Sequence, residues 1–122
     1  MRHRKKKIKL GKDREHTRSL LRNLFTSLIL EEAIETTIPR AKRLKAVADK
    51  LLTKARKEDL SSRRELASWL TTKKAYLKLY RELVPRLHPH TGGHVRIHRI
   101  GFRKGDGAEL ARVEINTREE KK

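Results

Sequence analysis

The strongest constraint on this chain is electrostatic. Lys and Arg number 33 against 15 Asp and Glu, a formal net charge of +18 on 122 residues. A compact chain carrying that excess repels itself. The fold therefore has to keep its cations on the outside, and the excess persists most easily where a polyanion neutralises it. Hydrophobic residues make up only 35% of the chain. That is enough for one modest core and not for two, so a single folded unit is expected.

Two polyanions are common, nucleic acid and an anionic membrane surface. The sequence has no run of about 20 apolar residues, and its N-terminus has charge without the apolar stretch and small-residue cleavage site of a secretory signal. A membrane is therefore not an expected partner, and a cytoplasmic location is. The absence of cysteine removes disulfides, thiolate metal sites and cysteine nucleophiles from consideration.

Residues 1–12, MRHRKKKIKLGK, hold seven Lys and Arg and no acidic residue. Such a block cannot bury enough apolar area to offset its ordering entropy, so it reads as an extended arm that orders only against something negative. Residues 13–115 read as the folded domain, and 116–122 as a C-terminal tail. Asp13 is a plausible N-cap. Leu20, Leu21, Leu24, Phe25, Leu28 and Ile29 follow at the spacing of one helical face, with His16, Arg18, Arg22 and Asn23 on the other side.

Ile34–Ile38 alternates and is β-branched, which predicts a strand; Thr37 is a candidate cap and Pro39 suits the first turn of the next helix. Ala41, Leu44, Ala48, Leu51, Leu52 and Ala55 mark the apolar stripe of that helix, with Arg40, Lys42, Arg43, Lys45, Lys50 and Lys54 elsewhere on it. Ser62 and Glu65 fit a capping box for a short third helix, whose apolar side is Leu66, Trp69 and Leu70. A fourth runs from about Thr72 through Leu77, Tyr80, Leu83 and Val84 until Pro85 stops it. The period then changes from helical to two. Val95 and Ile97 alternate with Arg96 and His98, and Ala111, Val113 and Ile115 alternate with Arg112 and Glu114. The turn-rich segment 103–107 between these strands predicts an antiparallel hairpin. The expected class is α+β: about four helices packed on a small sheet that includes the C-terminal hairpin, with a basic arm in front.

Catalysis finds no support. No nucleophile elbow, phosphate-cradling loop or recognisable triad is present, so we expect no enzyme, no cofactor and no small-molecule substrate. His88, His90, His94 and His98 crowd around a double glycine, but without a carboxylate or thiolate among them they read as phosphate or solvent contacts rather than a metal site. Glu31, Glu32 and Glu35 sit among basic residues, where ion pairing accounts for them. Nucleic acid is the expected partner. RNA is favoured over DNA because no helix-turn-helix or dimerisation seam is evident and basic arms suit irregular folded RNA. A DNA-compacting protein is the alternative, and a metal-dependent nuclease a distant third.

The ordered motifs also resemble a known family. Met1-Arg2-His3, Gly11, His16, Leu20-Leu21-Arg22-Asn23-Leu24, Ile34-Glu35-Thr36-Thr37 and Ala41-Lys42-Arg43-Leu44 come first. Gly92-Gly93-His94-Val95-Arg96-Ile97, Arg103-Lys104-Gly105-Asp106-Gly107-Ala108 and Ala111-Arg112-Val113-Glu114-Ile115 follow. Together these resemble the seventeenth protein of the bacterial large ribosomal subunit over nearly the whole chain. The resemblance implies an α+β protein bound to large-subunit ribosomal RNA near the nascent-chain exit side, with neighbouring large-subunit proteins as further partners. It departs from the family pattern at His94, where a tyrosine commonly follows the glycines.

Carried onto this sequence, the resemblance implies RNA contacts first from the arm residues Arg2, His3, Arg4, Lys5, Lys6, Lys7, Lys9 and Lys12. His16, Arg18, Arg22 and Asn23 on the first helix and Thr36 and Thr37 at the strand follow, with Arg40, Lys42 and Arg43 extending that surface. Arg96, His98, Arg99, Arg103 and Lys104 on the hairpin form a second patch.

Removing residues 1–12 is expected to weaken RNA binding and to flatten its salt dependence by several units of slope, at roughly 0.7–0.9 for each phosphate that the arm no longer neutralises. Titrations of the full-length and shortened chains over a salt series check this; equal slopes would show the arm idle.

Overall fold

The computed structural model describes residues 13–87 and 93–117. The arm and its basic residues, and His88 and His90 of the histidine-rich loop, lie outside the described residues. The element order is α1 (Arg14–Glu31), β1 (Ala33–Thr37), α2 (Ile38–Lys57), α3 (Leu60–Trp69), α4 (Lys73–Lys78), a π-helical turn (Leu79–Leu83), a 3₁₀ turn (Val84–Arg86), β2 (Val95–Phe102) and β3 (Glu109–Ile115). The α+β reading holds, with four helices and one three-stranded antiparallel sheet of order β1-β3-β2.

Helix α1 starts where the sequence says it should, because the Asp13 carboxylate accepts the His16 N–H at 2.7 Å and satisfies one of the first turn's orphan donors. Its stripe of Leu21, Phe25, Leu28 and Ile29 is buried. The strand after it is one residue out of phase with the sequence reading, spanning Ala33–Thr37 rather than 34–38. Ile38 opens α2 instead, next to Pro39 in the first turn, where proline's fixed φ fits the helix and its missing N–H is not needed. Thr37 occupies the cap position, but its hydroxyl makes no cap hydrogen bond.

All six apolar positions predicted for α2, Ala41, Leu44, Ala48, Leu51, Leu52 and Ala55, are buried. Three of them are alanines, which lets the helix axis come close to whatever it covers. It packs on all three strands, and α1 reaches the same sheet through β1 and β3. The covered face supplies Val95, Ala111, Val113 and Ile115 to the core, with Ile34 and Ile97 packed against it. Burial of each Leu or Phe in this interior contributes about 1.5–3 kcal/mol.

Helix α3 corrects the sequence reading. Its cap is Asp59, which accepts the Ser62 N–H at 2.7 Å, and the helix begins at Leu60. Ser62 is therefore inside the first turn and buried, and Glu65 reaches across to Lys54 at 2.7 Å instead of closing a capping box. A free carboxylate three residues upstream is the stronger acceptor. Trp69 lies half-buried against the core, with the Arg18 guanidinium 5.7 Å above its ring.

The fourth helix differs in phase. It starts beside Thr72, whose hydroxyl caps it by accepting from the Ala75 N–H at 3.2 Å, but the fully buried residues are Ala75, Leu79, Leu83 and then Leu87. Four apolar residues at a strict spacing of four overrun a 3.6-residue turn. The chain answers by widening, and the Val84 N–H bonds back to the Leu79 carbonyl, an i→i+5 bond. Pro85 does not stop the helical path at once; it sits within the 3₁₀ turn, which runs to Arg86.

In the hairpin, β2 and β3 pair from Val95↔Ile115 to Phe102↔Glu109, with a bulge between Arg99 and Gly101. Gly101 has φ +130, a conformation that L side chains rarely adopt, and this lets the extra residue Ile100 be inserted. Beyond β3, the Asn116 N–H donates to the His94 carbonyl at 2.7 Å and Thr117 bridges to Leu87.

Helix α2 ends at Glu58 in the left-handed region, at φ 53. A side chain in that conformation is strained and Glu58 is exposed, so Glu58→Gly is expected to raise stability by about 0.5–1 kcal/mol. A higher urea midpoint at unchanged denaturant slope checks it.

Candidate nucleic-acid interface

The structure sorts the charges by role. The described residues hold 23 Lys and Arg and 13 Asp and Glu, leaving +10 (23 − 13). Most of the carboxylates are bound into the fold. Asp13 and Asp59 cap helices, and Asp49 on α2 accepts the Val95 N–H at 3.1 Å, fastening that helix to the first residue of β2. Glu65 holds Lys54 at 2.7 Å, Glu109 holds Arg99 at 3.0 Å, and Asp106 holds Arg103 across the hairpin turn.

Glu32 does most. It ends α1 at φ 65 with its N–H on the Leu28 carbonyl at 2.7 Å, and its own carbonyl accepts the Ile115 N–H at 3.0 Å. Its carboxylate meets Arg86 at 2.9 Å and Lys78 at 3.6 Å. Lys78 also donates to the Leu30 carbonyl at 2.6 Å. One residue thus joins α1, β3, α4 and the 3₁₀ turn.

With the carboxylates so engaged, much of the cationic surface is left facing outward. The uncovered face of the sheet is one such surface. Residues opposite in register share a face, so Glu35, Arg112 and His98 form one cross-strand row, and Ala33, Glu114 and Arg96 the next. Glu35, Arg96, His98 and Arg112 are exposed, and Glu114 reaches His98 at 2.8 Å and Arg112 at 3.7 Å.

The residues that the family resemblance singles out are distributed over several surfaces. On α1, His16, Arg18 and Asn23 are exposed and Arg22 is half-buried. Thr36 lies on the covered face opposite Ala111, and Thr37 on the open face opposite Leu110. On the first turns of α2, Lys42 is exposed while Arg40 and Arg43 are half-buried. The hairpin residues divide. Arg96 and His98 lie on the open face, whereas Arg99, Arg103 and Lys104 gather at the far end around the bulge and turn.

His94 departs from the expectation that the histidines face phosphate or solvent: it is fully buried. Gly93, at φ 70, turns the chain so that the next side chain enters the core ahead of β2. The position after the double glycine is therefore an interior one. Among the described residues, no group of three or more His, Asp or Glu stands close enough to hold a metal ion. No described helix is long and apolar enough to cross a membrane.

Two basic features were not singled out from the sequence. Arg112 stands in the middle strand of the open face. Lys73, Lys74, Lys78 and Arg81 line a shallow groove on α4 and the π turn, with Leu77 and Glu82. Their spacing was available to inspection; the expectation of a plain helix with Leu77 inward hid it.

The fold and its exterior define a small single-sheet α+β protein whose surplus positive charge lies outside a core fastened by carboxylates. Comparison with known proteins narrows the class. A family model described as Ribosomal protein L17 matches residues 20–116. A large ribosomal subunit protein bL17 from Koribacter versatilis is 47% identical over 115 residues, covering 94% of this chain and 71% of its own. One of the same description from Gemmatimonas aurantiaca is 47% identical over 115 residues, with 94% and 98% covered. A third, from Clostridium acetobutylicum, is 40% identical over 107 residues, with 88% and 94% covered. The chain belongs to the ribosomal protein L17 family.

The carboxylate fastenings predict acid sensitivity. Burial pushes the Glu32 carboxyl up, but the Arg86 hydrogen bond and charge together with Lys78 outweigh it and hold the group below its ordinary 4.5. The hydrogen bonds from Arg103 and the Ala108 N–H lower Asp106 from 3.8 to about 2. In both cases the unfolded chain takes up protons first as the pH falls. The stabilisation is therefore complete above about pH 5 and is lost as the pH drops through the lower folded values. Urea midpoints should fall over that acid range. Glu32→Gln should lower neutral stability by about 1 kcal/mol, the upper end for partly exposed pairs, and should make the acid loss shallower. An unaltered acid profile in that variant would contradict the assignment.

Proposed function

We propose that this protein is a structural constituent of the large ribosomal subunit that binds folded ribosomal RNA through phosphate contacts and stabilises its fold. The observation that carries the reading is the match of residues 20–116 to a family whose relatives bear the name of large-subunit proteins. The charge arrangement supports it: a polyanionic partner neutralises the outward cations, and each phosphate contact releases counterions.

In this reading the folded body, residues 13–115 with Asn116 and Thr117 held against it, docks on the RNA surface, and the basic residues of 1–12 add further phosphate contacts. His16, Arg18, Arg22 and Asn23 on α1, Thr36 and Thr37 with Arg40, Lys42 and Arg43, and the hairpin cations Arg96, His98, Arg99, Arg103 and Lys104 provide the contacts. Phosphate contacts set position and orientation rather than sequence preference. The location is the ribosome in the cytoplasm, on the nascent-chain exit side, with other large-subunit proteins sharing the surface. The role is one of binding rather than catalysis.

Sedimentation tests this reading. The tagged chain is expected to travel with the large subunit and to bind large-subunit RNA in preference to random duplex DNA at the same salt concentration. Equal affinity for the two would favour a DNA-compacting protein instead and overturn the proposal.

A further inference from the structure

The hairpin end carries a feature that charge does not explain. Phe102 is 74% exposed and its neighbour across the bulge, Ile100, 47% exposed. Leaving a phenyl ring in water forgoes about 1.5–3 kcal/mol of burial. The fold nevertheless holds it there firmly. Gly101 at φ +130 makes the bulge, and the Arg103 N–H bonds to the Ala108 carbonyl at 2.8 Å just beyond. The Gly107 N–H closes the turn on the Arg103 carbonyl at 3.1 Å, and the Arg103–Asp106 ion pair braces it.

We propose that Phe102 is a stacking platform for an unpaired nucleobase of the RNA, with Ile100 against the edge of the base and Arg99 and Lys104 beside its phosphates. The inference rests on the RNA-binding reading above and adds to it a contact that is not electrostatic. Three observations select this occupant. Arg99, Arg103 and Lys104 flank Phe102 along the hairpin and outnumber Glu109 and Asp106, which pair with the two arginines, and the body as a whole carries +10 (23 − 13) among its described residues. That environment attracts a phosphate-linked partner. The apolar patch is also small, two side chains bordered by charge, whereas a stable protein interface needs a desolvated centre within about 1,000 Å² or more. A base needs only one aromatic face. Finally, the ring sits on a braced hairpin, so little conformational freedom is lost when a base stacks on it.

Stacking and phosphate contact leave different marks on a salt titration, since stacking releases no counterions. The test compares the full chain with Phe102→Ala and Phe102→Trp for binding to large-subunit ribosomal RNA across a range of salt concentrations. Phe102 lies outside the core, so both variants keep the fold, which their melting midpoints verify. Phe102→Ala is expected to weaken binding by about 5- to 150-fold with an unchanged salt slope, and Phe102→Trp to bind within about threefold of the parent. Wild-type affinity in Phe102→Ala overturns the inference while leaving the RNA-binding reading intact. If that variant binds RNA normally but is lost from assembled subunits, the patch docks a protein and the inference equally falls. A parent chain that does not bind the RNA at all defeats the reading on which the inference rests, and the inference with it.

Discussion

The knot at Glu32 is the interaction on which the remaining architecture depends. The chain leaves α1 there in a left-handed turn, and the residue is tied by backbone to β3 and by side chain to Arg86 and Lys78. Those ties set where the sheet begins relative to α1 and hold the end of the fourth helical segment against both. Asp49 performs a related task at the same end of the sheet but on its opposite edge, fastening α2 to β2 at Val95, the partner of Ile115. In a chain so poor in acid, the few carboxylates serve as caps and ties within the body, and Glu32 neutralises Arg86 and Lys78 while it does so. The cations left over set the positive charge of the exterior.

The core supports this division. Alanines on α2 and the branched residues of β2 and β3 build a thin, dry layer between helix and sheet. In the cross-strand rows of the other face, Leu110 is the largest apolar residue. That open face offers Arg96, His98 and Arg112 on a rigid pleat, and α1 offers His16, Arg18 and Asn23 on a capped helix. Side chains on regular elements keep their spacing, which suits a partner whose phosphates are themselves fixed in a folded structure.

What could be read from the sequence was the information held locally. The stripe of α2 needed only a period of 3.6, and every residue assigned to it is buried. The hairpin strands needed only alternation, and the Asp13 cap only a polar residue before a helical run. The misreadings arose where two local signals competed or where the deciding contact was distant in sequence. Ser62 with Glu65 looked like a capping box, but Asp59 was the better acceptor and Lys54 the better partner for Glu65. In the fourth helix Leu83 is buried and Tyr80 and Val84 pack against the core, but Ala75 and Leu79 were missed, because apolar residues recurring every four positions are kept in line by a π turn rather than an α-helix. His94 was read from its polarity, whereas Gly93 determines where it points. As for the interface, the basic residues were visible at once. What the sequence withheld was which of them share a face, because that depends on the register of strands separated by some eighty residues.

The strand order has a consequence for how such a chain is made. β3 lies between β1 and β2, which do not pair with each other, yet it is the last of the three in chain order. During vectorial synthesis the helices can collapse early, but β1 has no partner, and the Glu32 carbonyl no donor, until residues 109–115 have left the ribosome. The body therefore locks only once β3 has emerged. Until then it remains an open helical cluster with a bare strand edge, exposed to capture by polyanions or by other nascent chains.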